Sequence, residues 1–297
     1  MTVVGIVSPG YMGAGLGSAL RAGGARVVTT VAGRSARSQR LATAAGLELL
    51  PDLAAVLGTA EVVLSVVPPG QAVATARAIA AARPAGAAPL IADLNAIAPP
   101  TLATVAEVLA GAAVVDGSIS GPPPTARPGA RVYLSGPRAA EVAALPWAGQ
   151  VEPVVLGGRL GTASALKMCT ASVYKGLTAL VTQAMRAAGH YGVLDEVLAD
   201  LARADLDGSA GVPRAATKAH RFVDEMREIA VAQAGAGLTP DLFAAMAAVY
   251  ADVAGTALAD GDPESTGGLP PAETVARLAT AAGSASPGAP DAPQSRR

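Results

Sequence analysis

Short apolar runs alternate with longer helical patterns through the first half of the chain. Val3-Val4-Gly5-Ile6-Val7 has no polar position and reads as a strand buried on both faces. Residues 26–30, 47–50, 61–67, 90–94 and 113–116 have the same character, and Ala-rich stretches with helical spacing separate them. That alternation predicts an α/β fold with a doubly wound parallel sheet, whose ligands bind beyond the carboxyl ends of the strands. Residues 131–135 and 151–156 predict two further strands that close the sheet. After Gly157 the pattern turns wholly helical, over residues 160–189, 194–204, 212–235 and 240–258, with breaks at Gly192, Gly208 and Gly237. A loop rich in Gly and Pro, residues 261–271, precedes a last short helix. The expected organisation is a sheet domain over residues 1–157, an all-α domain over 158–282 and a disordered tail over 283–297.

The first strand runs into Ser8-Pro9-Gly10-Tyr11-Met12-Gly13 and then into a helical run, residues 14–22. A strand, a Gly-rich turn, a helix and a second strand within about forty residues make a dinucleotide-binding βαβ unit, the start of a Rossmann-type sheet. Ser8 stands where the G-x-G-x-x-G fingerprint begins with Gly. Gly10 lets the backbone approach a pyrophosphate, and Gly13 lets the helix pack on the strand. The helix N-terminus offers free N–H groups to the phosphates. An imperfect fingerprint taken alone also fits a tight turn; its place after a strand favours the cofactor. An NAD enzyme usually carries Asp or Glu at the end of the second strand, for the ribose 2′-OH. No acidic residue precedes Glu48, and Arg34, Ser35 and Arg37 occupy that region. Two guanidiniums and a hydroxyl suit a 2′-phosphate, so the expected cofactor is NADPH.

Composition narrows the classes. A net charge of −1 gives no footprint for nucleic acid or an anionic membrane. Hydrophobic residues make up 51% of the 297, but no uninterrupted apolar run approaches the ~20 residues of a membrane span. No secretory leader is expected, and the single Cys169 cannot form an internal disulfide, which suits a reducing cytoplasm. One Cys and two His argue against a structural zinc site, and no metal is expected.

Candidate chemistry gathers at the predicted strand ends. Val67-Pro68-Pro69 follows the fourth strand, Asn95 the fifth, and Asp116-Gly117-Ser118-Ile119-Ser120-Gly121-Pro122 the sixth. Each cluster alone is loop punctuation; together they ring one crevice. Lys167 lies in a helical run that is almost entirely small or apolar. Burial there lowers an ammonium's pKa and suits it to general acid/base work, whereas a helix-edge lysine would snorkel to water. The carboxylates Asp195, Glu196, Asp224, Glu225 and Glu228 read as solvated helix charges or salt-bridge partners.

These blocks resemble the β-hydroxyacid dehydrogenase family, related to phosphogluconate dehydrogenase and to imine reductases. The resemblance runs in scattered blocks over about residues 3–232 and includes Gly5-Ile6-Val7-Ser8-Pro9-Gly10-Tyr11-Met12-Gly13, a variant that fits a divergent subgroup with a poorly characterised C-terminal domain. The family's D-x-x-x-S-G-G block is similar to Asp116–Pro122, which implies that Ser120 and Gly121 hold the substrate, while Pro122 lacks one N–H donor. Lys167 aligns with the family's catalytic lysine in G-x-x-x-x-x-K-x-x-x-N, with Ala171 in place of Asn. Thr170 and Tyr174, close to the Lys167 face of the helix, are the candidates to replace the lost amide. A later block resembles Arg227-Glu228-Ile229-Ala230-Val231-Ala232 and implies Arg227 near cofactor or substrate. His220 is a further candidate substrate contact. The resemblance implies hydride transfer between NADPH and a small hydroxy acid or carbonyl compound, with Lys167 as general acid/base, the nicotinamide near Val67, Pro68, Pro69 and Asn95, and a homodimer built by the C-terminal helices. An imine reductase and a non-catalytic NADPH-binding regulator are the alternatives.

Overall fold

The computed structural model describes residues 1–261 and 268–283. Eight strands form one sheet: β1 (Val3–Val7), β2 (Arg26–Thr29), β3 (Glu48–Leu49), β4 (Val62–Ser65), β5 (Leu90–Asp93), β6 (Val114–Ser120), β7 (Ala130–Ser135) and β8 (Val151–Val155). Their order is β3-β2-β1-β4-β5-β6-β7-β8. Every neighbouring pair is parallel except β6 and β7, which are antiparallel. Helices α1 (Tyr11–Ala22), α2 (Ala36–Ala44), α3 (Leu53–Thr59), α4 (Ala72–Ala82), α5 (Pro99–Val108) and α6 (Ala139–Ala143) are interspersed among them. The remainder is helical: α7 (Thr162–Tyr191), α8 (Leu194–Arg203), α9 (Val212–Ala216), α10 (Ala219–Gly235), α11 (Asp241–Ala254) and α12 (Pro271–Leu278). The expected doubly wound sheet followed by an all-α region is therefore what the chain forms.

The near-continuous apolar strands follow from burial on both faces. Val4, Ile6, Val62, Leu64 and Leu90 point into one core, and Val7, Val28, Val63 and Ile91 into the other. Period-2 alternation sends successive side chains to opposite sides, so a strand covered twice has no polar face.

The chain divides into two compact units. One comprises Met1–Val173 with Asp224–Ala244 and holds the whole sheet. The other comprises Tyr174–Val223 with Ala245–Arg297. Thus the first turns of α7 and most of α10 belong to the sheet's unit rather than to a separate helical domain beginning at residue 158. In the helical unit Tyr250 is buried; its hydroxyl donates to the Lys175 carbonyl at 2.7 Å, and its ring meets Phe222 edge-on at 5.2 Å. The Lys175 ammonium lies 4.5 Å from the Phe222 ring centroid, so this lysine packs as a cation on an aromatic face.

Three elements differ from expectation. β6 runs on to Ser120 instead of stopping at Asp116, because β7 pairs with it as far as Ser120↔Arg131. The helix expected over 212–235 breaks at Thr217 and Lys218, between α9 and α10. The last helical stretch of 240–258 ends at Ala254 and resumes as a 3₁₀ turn, Ala257–Asp260. Residues 262–267 of the Gly/Pro loop and 284–297 of the tail lie outside the described residues. Among the described residues no helix is long and apolar enough to cross a membrane.

Candidate active site

The turn after β1 is built for a close approach. Ser8 sits at φ 70°, a left-handed backbone that costs a non-glycine residue on the order of 1–3 kcal/mol. This is the place the fingerprint usually gives to Gly. The Gly10 N–H donates to the Ser8 carbonyl at 2.8 Å and closes the turn. A Cβ on Gly13 would stand 2.5 Å from the Ser8 carbonyl oxygen, so only Gly lets α1 pack this tightly on the turn. Gly10 is the N-cap of α1, with open space where a Cβ would be and no side chain capping the helix. The N–H groups of Tyr11, Met12 and Gly13 begin the helix and have no intrahelical acceptor. The neighbouring helices α2 and α3 are capped, by Ser35 on Ser38 N–H (3.3 Å) and by Asp52 on Ala55 N–H (2.8 Å).

Beside this turn lies a cavity of about 410 Å³, bordered by Val7, Ser8, Thr30, Arg34 and, from the α4 side, Gln71 and Thr75. Arg34 and Ser35 are exposed and Arg37 is half-buried. The first acidic residue of the chain, Glu48, is held by Arg26 at 2.7 and 2.8 Å, at the start of β2 rather than at its end. An open, uncapped helix N-terminus, a cavity and a cationic rim together could hold an anionic dinucleotide.

A row of buried polar side chains crosses four strands, at the carboxyl ends of β4, β5 and β7 and within β6. Ser65, Asp93, Asp116 and Ser135 are register neighbours on β4, β5, β6 and β7, and each is at most 2% exposed. Asp93 accepts from the Asn95 backbone N–H (3.0 Å) and Nδ2 (2.8 Å). Asn95 Nδ2 also donates to Ser65 Oγ at 3.3 Å, and its Oδ1 accepts from Val67 N–H at 2.7 Å. Asn95 is thus buried with its amide spent on the protein, and it fixes the Val67-Pro68-Pro69 segment that follows β4. Burial above all pushes the Asp93 carboxyl up to about 7; the bonds from Asn95 oppose the rise, and nearby Asp116 and Glu228 add to it.

Asp116 was legible only as the head of a motif. It is fully buried, and its carboxylate accepts from Ser135 Oγ (2.7 Å), Ala163 N–H (2.9 Å), Ser164 N–H (3.1 Å) and Ser164 Oγ (2.6 Å). Those amides open α7, so Asp116 caps that helix from the sheet. Lys167, three residues past Ser164, is half-buried and donates from Nζ to the Ile119 carbonyl at 2.7 Å. Burial holds its pKa below the ordinary lysine range. Ser120 ends β6, and Gly121 follows at φ 113°, a conformation that favours glycine. Pro122 is half-buried, while Pro123 and Pro124 are buried against Gly15 of α1, 3.1 Å from where a Cβ would stand.

Other expectations are corrected. The Thr170 hydroxyl bonds back to the Leu166 and Lys167 carbonyls at 3.1 and 3.2 Å, so its proton is used within the helix rather than replacing the lost amide. Arg227 is exposed and paired with Asp224 on its own helix at 3.1 Å. Glu228 is not a solvated charge: its carboxylate caps α5 by accepting from Ala98 N–H and Thr101 Oγ1, both at 2.7 Å, and burial raises its pKa. Tyr174 and His220 are exposed and belong to the helical unit. Among the described residues no group of three or more His, Cys, Asp or Glu is placed to hold a metal ion.

Comparison with known proteins agrees with the fold. Residues 188–253 match the family model described as a domain of unknown function (DUF1932). The conserved protein MTH1747, of unknown function and described as structurally similar to 3-hydroxyacid dehydrogenases, is 27% identical, with 84% of this chain and 97% of that chain covered and a TM-score of 0.62. A Mycobacterium tuberculosis 3-hydroxyisobutyrate dehydrogenase, solved with L-serine, is 20% identical over 90% of this chain and 98% of its own, with a TM-score of 0.67. An Aspergillus terreus reductive aminase, in complex with NADPH and ethyl-5-oxohexanoate, is 18% identical over 93% and 99%, with a TM-score of 0.55. At those identities the last two speak for the fold. No curated protein matches the chain. The structural neighbours are thus 3-hydroxyacid dehydrogenase-like, and residues 188–253 add a DUF1932 match.

The raised Asp93 carboxyl makes stability depend on pH. An unfolded Asp ionises near pH ~3.9, whereas Asp93 in the native state does so at about 7. Between these values the native state keeps a proton that the unfolded chain has lost. Its contribution is therefore complete below the lower value and lost as pH rises through the upper one. The urea midpoint of the wild type should fall between pH 5 and 8, as followed by circular dichroism, and Asp93→Asn should remove most of that fall. Parallel pH dependences in the two proteins would contradict the assignment.

Proposed function

We propose that this chain is an NADPH-dependent oxidoreductase acting on a small carbonyl or hydroxy compound. The observation that carries the reading is the uncapped first turn of α1 beneath Gly10, beside a cavity rimmed by Arg34. The N–H groups of Tyr11, Met12 and Gly13 hold the pyrophosphate, with Ser8 and Pro9 shaping the turn. Arg34, Ser35 and Arg37 take the 2′-phosphate; Ser35 does so while also capping α2. Val67, Pro68 and Pro69, tied down through Asn95, wall the nicotinamide side. When bound, NADPH supplies a hydride equivalent to an electrophilic carbon. Ser120 and Gly121 orient the substrate. Pro122, with no N–H, leaves the family's usual carboxylate grip one donor short.

Lys167 delivers a proton from Nζ to the substrate oxygen in reduction, or takes it back in oxidation. A half-buried ammonium with lowered pKa, held by a carbonyl acceptor, is suited to that exchange. The related neighbours include a reductive aminase, so imine reduction is the competing chemistry. Retention of a lysine at residue 167 favours oxygen over nitrogen substrates. A regulator that binds NADPH without turnover is excluded by consumption of NADPH with any aldehyde, keto acid or imine.

The test is titration of the purified protein with NADPH and NADH, followed by nicotinamide fluorescence. Wild type should bind NADPH at least ten-fold more tightly, and Arg34→Ala should bring NADPH close to the NADH level, a loss of about 1.4 kcal/mol or more. Lys167→Met should keep NADPH affinity and lose turnover by about 100-fold or more. Equal affinities in the wild type would overturn the 2′-phosphate assignment, and no binding of either nucleotide would overturn the function.

The chain also acts, we propose, as a homodimer through its C-terminal helices. Tyr174, Leu177 and Leu180 expose 72%, 46% and 56% of their surface within two turns of α7, an apolar face that a second copy would bury. Light scattering should give twice the chain mass for wild type and a monomer for the Leu177→Glu, Leu180→Glu double variant. A monomeric wild type at micromolar concentration would contradict this.

A further inference from the structure

We infer that Asp116 is a positioning residue that sets where the Lys167 ammonium stands, by gripping the first turn of α7 from within the sheet. The inference rests on the proposed role of Lys167. Period-2 alternation along β6 puts Asp116, Ser118 and Ser120 on one face of the strand. Asp116 takes the N–H groups of Ala163 and Ser164 and the hydroxyl of Ser164. Ser118 Oγ donates to the Ala163 carbonyl at 3.0 Å. Ser135 Oγ, which donates to Asp116, also accepts from Ala163 N–H at 3.1 Å. One residue of α7 is therefore held at both its N–H and its C=O by side chains of two strands.

The grip fixes the helix's rotation as well as its height. Lys167 follows Ala163 by four residues and Ser164 by three, so it lies on the gripped face, one turn along. Its ammonium then reaches back to the same strand, to the carbonyl of Ile119, between Ser118 and Ser120. The register of β6 thus dictates both ends of the arrangement: Asp116 and Ser118 hold the helix, Ile119 receives the lysine, and Ser120 is next to it. A buried carboxylate is costly unless hydrogen-bonded, and a cap from water or a local serine would satisfy the helix end without it. Four donors converge on Asp116 at 2.6–3.1 Å, in return for which α7 begins at one place and one rotation.

The chain has three lysines, Lys167, Lys175 and Lys218, which makes the claim measurable without a substrate. Reductive methylation with ¹³C-formaldehyde labels each, and Lys167→Arg identifies the Lys167 resonance. In the wild type that resonance should titrate below the ordinary lysine range. Asp116→Asn turns an amide N–H₂ towards the donors of α7. The Lys167 titration should then move up towards the ordinary range, and kcat on the best substrate should fall about 100-fold with NADPH affinity unchanged. Should Asp116→Asn not fold, Ser164→Ala removes a single donor and should give a smaller shift in the same direction. An unaltered Lys167 titration in whichever variant folds would overturn the inference. Absence of turnover in the wild type would count against the proposed function, while the resonance would still report whether Asp116 places the lysine.

Discussion

The structure turns on how polar groups are satisfied where strands end and helices begin. Ser65, Asp93, Asp116 and Ser135 cross four strands in one register row with almost no exposure. Each must find its partners inside the protein, since an unpaired buried carboxylate or amide is expensive. The partners found are the turns and helix starts themselves. Asp93 and Ser65 hold Asn95, which holds Val67; Asp116 and Ser135 hold the start of α7. Glu228 does the same for α5 from α10. Packing alone would leave those starts free to slide, so the polar row gives the ends of the sheet their definition.

What sets α1 apart is the turn before it rather than its lack of a side-chain cap, which α4, α6, α8, α9 and α12 share. Helices α2, α3, α5 and α7 are capped by Ser35, Asp52, Glu228 and Asp116. At α1 the chain instead accepts a left-handed Ser8 and a glycine pressed on a carbonyl, and leaves the first amides without a side-chain acceptor. Backbone strain beside unused donors at the carboxyl end of a parallel sheet is the arrangement that an anionic ligand completes. The loop of Pro123 and Pro124, just after β6, docks on the same helix at Gly15.

Much of this was legible in the sequence because it rests on local rules. Runs such as Val3–Val7 and Leu90–Asp93 declare strands buried twice, and Gly13 and Lys167 stand out by type and place. The misreadings share a physical cause. β6 was cut short at Asp116 because Gly117-Ser118-Ile119-Ser120 carries polar residues, which are there to meet α7 rather than water. Glu228 looked like a solvated helix charge, yet its partners lie 127 and 130 residues away. At Asn95 the strand-end position is legible, but its burial and its bond to Asp93 are not, because they depend on two neighbouring strands. Capping by a distant side chain leaves no periodicity to read.

The central claim is that the open first turn of α1 receives a dinucleotide, and amide hydrogen exchange reports on it directly. In the presence of saturating NADPH the amides of Tyr11, Met12 and Gly13 should exchange at least ten-fold more slowly than in the free protein, because bonded N–H groups are withdrawn from water. Unchanged exchange at these three residues, under conditions where NADPH is bound, would contradict the account.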